Sequence, residues 1–149
     1  IHRANVPAGK SIDKIPSCIW TTAEIAALLS EKSGFKKSEE LHKACEFLLA
    51  NVEKDNLSTL LPEANAWNQF KITSDSNLMF AGGTLKVLEI LVRAGYNPSN
   101  PQFKKLYEWF IAQQMDDGLF PMVAGKMPIA NEAVSVRAMA LIRAVESTR

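Results

Sequence analysis

Apolar residues in this chain recur at helical spacing, and two kinds of segment take turns. Leu41, Ala44, Cys45, Leu48 and Val52 make one narrow stripe, and Phe103, Leu106, Tyr107, Phe110 and Ile111 make another. The stretches 21–29, 84–94 and 133–145 are apolar on most sides. A helix with a single apolar stripe lies at a surface, whereas one apolar nearly all round is enclosed. The order enclosed, surface, enclosed, surface, enclosed predicts an all-α fold of antiparallel helical hairpins in two layers. No run alternates for long enough to predict a strand.

Local signals set the bounds. Thr21 or Thr22 is expected to cap a first helix over 21–33, ended by Gly34. Ser38 with Glu39 and Glu40 predicts a second helix running to about Lys54. Residues 55–76 carry Pro62, Asn65, Asn68, Ser74 and Asp75 and predict a long connection that must bury Trp67 and Phe70. A loop of that length is either functional or packed over a core. Ser76 or Asn77 is expected to cap a third helix to Gly95, with Gly82-Gly83 in its first turns and Lys86, Glu89 and Arg93 on one polar line. Asn97-Pro98-Ser99-Asn100-Pro101 starts a fourth helix, stopped after Met115 by Asp116-Asp117-Gly118. Pro121, Gly125 and Pro128 mark the next connection, and Asn131 caps a fifth helix to about Ser147. Residues 1–19, broken by Pro7, Gly9 and Pro16, read as an irregular lead-in.

The pattern repeats. Ala23 and Thr84 correspond at a separation of 61, as do Gly34 and Gly95, and Phe47, Leu48, Asn51 and Asp55 correspond to Trp109, Phe110, Gln113 and Asp117 at 62. One enclosed and one surface helix cannot bury their apolar faces alone, so such units must stack. About two and a half units fill residues 20–147, a single repeat domain over 1–149. The start at Ile1 within loop-like sequence is expected of a piece of a longer protein.

Charge and composition narrow the chemistry. Seventeen Lys and Arg against sixteen Asp and Glu give a net charge of +1 without basic runs, so no field steers nucleic acid to the chain. No apolar run approaches the ~20 residues of a membrane span, and nothing resembles a signal peptide. Two cysteines make no disulfide framework, so a reducing, cytoplasmic setting is expected.

Ile19-Trp20-Thr21-Thr22-Ala23-Glu24 before an Ala/Leu-rich helix resembles the start of an inner helix in the prenyltransferase and squalene-oxidase type repeats. Tyr107, Gln114, Gly118 and Phe120 are similar to the glutamine/tryptophan motif of that family, with Phe120 where Trp is usual. The resemblance covers roughly 17–147 and implies an α/α-toroid-like, terpene cyclase-like or prenyltransferase-like fold. It also implies that the glutamine ties the outer helix end to the next inner helix while the aromatic stacks beside it. The chain departs from the family's chemistry: Asp116-Asp117 lacks the outlying Asp of D-x-D-D, and no Asp, Cys and His set for zinc is present.

The remaining candidates each have a structural competitor. His42 and Cys45 have a metal-ligand spacing, yet Cys45 lies on an apolar stripe and no second pair exists, so no metal and no cofactor are expected. Cys18 beside Trp20 lacks an activating histidine. Asp116-Asp117 reads either as paired carboxylates or as a helix-ending turn. Glu24 and Glu132 sit in the first turns of enclosed helices, where the helix dipole favours a carboxylate or a cavity could use one. Trp20, Trp67, Met79 and Phe80 are core aromatics or the lining of an apolar pocket for an isoprenoid-like ligand.

Two functions follow. One is a non-enzymatic helical-repeat scaffold or sensing module that binds a protein partner, or the rest of a parent chain, through Trp20, Glu24, Trp67, Phe80, Asn131 and Glu132. The other is a segment of a terpene-cyclase or prenyltransferase-like barrel binding a hydrophobic small molecule. A homodimer pairing exposed inner helices is a third arrangement of the first kind.

Overall fold

The computed structural model describes residues 17–53, 82–122 and 129–148. Among these residues are five helices, in order α1 Ile19–Glu31, α2 Glu39–Asn51, α3 Thr84–Arg93, α4 Pro101–Ile111 and α5 Glu132–Glu146. One turn of 3-10 helix, Ser33–Phe35, joins α1 to α2. Among the described residues there is no strand, only an isolated bridge between Pro121 and Ala130. The fold is all-α, as the spacing predicts. The expected connection over 55–76, with Trp67 and Phe70, lies outside the described residues, as do Met79 and Phe80.

Boundaries depart from the sequence reading where side-chain chemistry outweighs cap preference. Helix α1 begins at Ile19, two residues early, because the Thr22 hydroxyl bonds back to the Cys18 carbonyl at 2.9 Å instead of capping. Ile19 and Trp20 then enter the core, 1% and 3% exposed. Gly83 does not lie inside α3: its φ of 94° makes it the residue before the helix, and Thr84 is the first helical position. Helix α4 stops at Ile111 because Gln113 and Gln114 turn their amides to Phe110 and Ile111, three residues back. The caps of α2 and α5, and Pro101 at the start of α4, are as expected. Ser38 accepts from Leu41, Asn100 from both Gln102 and Phe103, with Pro101 at the first helical position, and Asn131 from Val134.

Helix α3 is central, packing against α1, α2, α4 and α5. Six of its ten residues are buried, Thr84, Leu85, Val87, Leu88, Ile90 and Leu91, so it matches the reading of an enclosed helix. Helices α2 and α4 contribute stripes: Leu41, Cys45 and Leu48 from α2, and Phe103, Leu106, Tyr107 and Phe110 from α4. Phe103 and Phe110 are fully buried, and each such side chain stabilises the fold by about 1.5–3 kcal/mol. Helices α1 and α5 are less enclosed than expected. Ile25 and Leu28 on α1, and Val136 and Met139 on α5, are 51%, 63%, 70% and 42% exposed. Among the described residues α1 packs against α2 and α3, and α5 against α3, and these contacts leave part of the apolar surface of each in water.

Candidate functional site

The face that α1, α3 and α5 share is crossed by ion pairs. Lys86, Glu89 and Arg93 follow one line of α3, opposite Leu88 and Leu91, because residues three and four apart on a helix share a side. Lys86 binds the Glu24 carboxylate of α1, and Arg93 reaches Glu31 of α1 at 3.5 Å. Both pairs join residues 62 apart and keep the same order along the two helices, so α1 and α3 run parallel. On the other side Arg137 of α5 donates to Glu89, Nε to Oε1 at 2.8 Å and Nη2 to Oε2. The Lys86 and Glu89 side chains are only 14% and 16% exposed. Charges in such partly dry surroundings hold their partners more firmly than surface pairs do. The polar line of α3 is therefore spent on holding its neighbours.

Beside this ladder lies apolar surface. Ile25 and Leu28 stand on the solvent side of α1, and Val136 and Met139 on that of α5. A shallow groove of about 190 Å³ runs between α3 and α5, lined by Val92, Arg93, Arg137, Ala140 and Ala144 among others. Among the described residues no helix is long and apolar enough to cross a membrane, and no group of three His, Cys, Asp or Glu could hold a metal ion.

The expected site residues are placed in separate roles. Trp20 is buried in the core. Glu24 lies in the second turn of α1, not the first, since that helix starts early; its carboxylate answers Lys86 and not the helix end. Asn131 is a cap whose own amide also bonds the Phe120 carbonyl at 2.9 Å. Glu132 is exposed in the first turn of α5. Trp67 and Phe80 lie outside the described residues.

Of the four residues Tyr107, Gln114, Gly118 and Phe120, the first lies on α4 and the others on the turn that follows it. Gly118 adopts φ 83°, its amide bonds Met115, and the Gln114 side chain donates to its carbonyl at 2.8 Å. Asp117 accepts from the Leu119 amide at 3.0 Å, so its carboxylate serves the turn. Phe120 is fully buried and stacks on Phe110 at 5.0 Å between ring centroids, and Tyr107 is buried and stacks on Phe103. The bond from Gln114 stays within the turn. The tie to α5 is made instead by Ser135, whose hydroxyl accepts the Phe120 amide at 2.8 Å while donating to the Asn131 carbonyl. Ser135 escaped the sequence reading; a lone serine on the buried stripe Val134, Ala138, Leu141 was its only signal.

A second polar cluster joins α2 to the end of α3. The Tyr96 hydroxyl donates to Glu46 at 2.8 Å, which leaves His42 Nδ1, 2.9 Å away, as a donor to it. Burial, then the bond to Glu46, pushes the Tyr96 phenol well above its ordinary range. Cys45 beneath is fully buried, and burial followed by the Glu46 charge pushes its thiol up to about 12. The His42 ring is thus engaged by Tyr96, and the Cys45 thiol lies buried in the core. Cys18 is also buried, and no disulfide joins it to Cys45. In comparisons with known proteins, no family model matches the chain, and neither a curated protein nor a solved structure matches it.

Proposed function

We propose that this chain is a non-enzymatic helical-repeat binding module that engages a protein partner through the solvent side of α1 and α5. One observation carries the reading: Lys86, Glu89 and Arg93 of α3 are paired with Glu24, Arg137 and Glu31, while Ile25, Leu28, Val136 and Met139 beside them stand exposed. Acid–base or nucleophilic chemistry needs charged groups that are uncommitted and poised. Association needs apolar surface, and exposed apolar residues grouped beside polar ones mark interaction sites. The equal separation of 62 in Glu24–Lys86 and Glu31–Arg93 supports stacked hairpin units of the kind the prenyltransferase-type repeats use. The partner that fits is an amphipathic helix, whose apolar residues at three- and four-residue spacing match those on α1 and α5.

The test uses the whole chain as bait with Leu28→Glu and Val136→Glu variants. Both positions are exposed, so thermal unfolding stays unchanged while partner retention falls several-fold. Retention unaffected by both substitutions overturns the reading. A saturable rise in unfolding temperature with farnesyl diphosphate, surviving both substitutions, replaces it with isoprenoid binding.

A further inference from the structure

The solvent side of α5 has an order that α1 lacks. Glu132, Val136, Met139 and Arg143 follow at intervals of four, three and four residues, which draws them into one line, the seam spacing of paired helices. All four are exposed. Val136 and Met139 form the apolar centre, 70% and 42% exposed, with a carboxylate at one end and a guanidinium at the other. Neither Glu132 nor Arg143 has an ion-pair partner among the described residues, in contrast to Arg137 one side over, which Glu89 holds.

This line is complementary to itself when reversed. Two copies of α5 laid antiparallel about a two-fold axis midway between Arg137 and Ala138 set each Val136 against Met139 of the second copy. The same operation sets each Glu132 beside Arg143 of the second copy, twice over. Parallel pairing would stack Glu132 on Glu132 and Arg143 on Arg143. Ala133 and Ala140, small and exposed at the margins of the line, let the two backbones approach. On α1 the line Thr21, Ile25, Leu28 and Lys32 has the same spacing but a single charge, so its reversal forms no ion pair.

We infer that the chain forms a two-fold symmetric homodimer through α5, with a Val136–Met139 seam closed by two Glu132–Arg143 ion pairs. This rests on the binding-module reading for the α5 face alone and names its occupant as a second copy. A two-fold axis makes the contact isologous, so it closes at two subunits. Exposed ion pairs add little affinity but fix orientation. A seam of a few turns places the complex among weak, concentration-dependent ones.

Sedimentation equilibrium of the full chain at low salt, from ~10 µM to ~1 mM, tests it. The apparent mass should rise from 16.5 kDa towards twice that value. Glu132→Arg alone and Arg143→Glu alone should each weaken dimerisation at least tenfold, as should Val136→Asp. Two results would be specific to the antiparallel seam: the double variant Glu132→Arg with Arg143→Glu dimerises again, and so does an equimolar mixture of the two single variants. Circular dichroism melts of each variant confirm folding. A wild-type chain monomeric across the range overturns the inference, as does a dimer that survives Val136→Asp or is lost with Leu28→Asp instead. A monomeric chain whose partner retention still depends on Leu28 and Val136 sinks the dimer and keeps the binding module. An intact dimer with unaffected retention does the reverse.

Discussion

Arg137 of α5 clasps the Glu89 carboxylate of α3 through two parallel hydrogen bonds. Glu89 is 16% exposed and Arg137 34%, whereas Arg93 and Glu31, which also link neighbouring helices, are 44% and 60% exposed and 3.5 Å apart. Removing one partner of a shielded pair strands the other charge, so Arg137→Met should cost about 1–3 kcal/mol in urea unfolding. Adding Glu89→Gln should recover part of that loss, because the stranded charge goes too. Arg93→Met should stay within about 0.5 kcal/mol. Equal costs at the two positions would show that burial does not distinguish the pairs.

Periodicity made the helices legible because helix α3 is apolar around most of its circumference and α2 and α4 on one stripe each. It could not show how enclosed α1 and α5 would be. Ile25 and Val136 are as apolar as Leu88 and lie on helices of the same kind, but enclosure depends on which helices pack around them, a tertiary property. The polar line Lys86, Glu89 and Arg93 was visible as a line; its partners Glu24, Glu31 and Arg137 were not, since pairing across helices leaves no local signature. Thr22 does not cap, and the role of Ser135 left no signal in the sequence, for one reason. Their hydroxyls bond the carbonyl four residues back, an option open to any helical Ser or Thr and invisible in spacing.

Gly118 and Gly34 make a controlled pair. Gly118 holds φ 83°, and a Cβ added there would meet only the Gln114 Nε2 at 3.9 Å, so space is free but the backbone is not. Gly118→Ala should cost about 1–2 kcal/mol from the left-handed conformation alone. Gly34 has no positive φ and nothing within 4 Å of a Cβ, so Gly34→Ala should be neutral or stabilising by up to about 1 kcal/mol. Unfolding midpoints of the two variants check the contrast. A Gly118→Ala protein as stable as the parent would mean that the turn relaxes to a negative φ.

The buried thiol of Cys45 predicts an alkaline limit to stability. Its ordinary value is 9.0 and its folded value about 12, so between those two the unfolded chain has lost a proton that the folded chain keeps. Stability is full below pH 9 and falls as pH rises towards 12, by at most about 1.4 kcal/mol per pH unit. Tyr96, also raised, acts in the same sense. Cys45→Ala should lower stability at neutral pH and flatten this slope, leaving the Tyr96 contribution. In the native protein at pH 8, modification of Cys45 by a disulfide reagent should proceed no faster than unfolding. Rapid modification would mean that α2 opens locally.

Ser135 is the joint between the α4 turn and α5, and its removal should be felt at Phe120. The serine is 5% exposed, and its oxygen is the acceptor for the Phe120 amide. Ser135→Ala leaves that amide buried without an acceptor, at an expected cost of about 1–3 kcal/mol. Ser135→Thr, which keeps the hydroxyl, should cost less. Phe120→Ala, which empties the space against Phe110, should cost about 3–5 kcal/mol. Because the bond and the ring stack hold the same segment, the double variant should lose less than the sum. Hydrogen exchange separates the two effects. Ser135→Ala should speed exchange of the Phe120 amide while the Asn131 amide, bonded to the Phe120 carbonyl, changes less. Unchanged protection at Phe120 would shift the joint to that second bond and leave the serine as filler on a buried stripe.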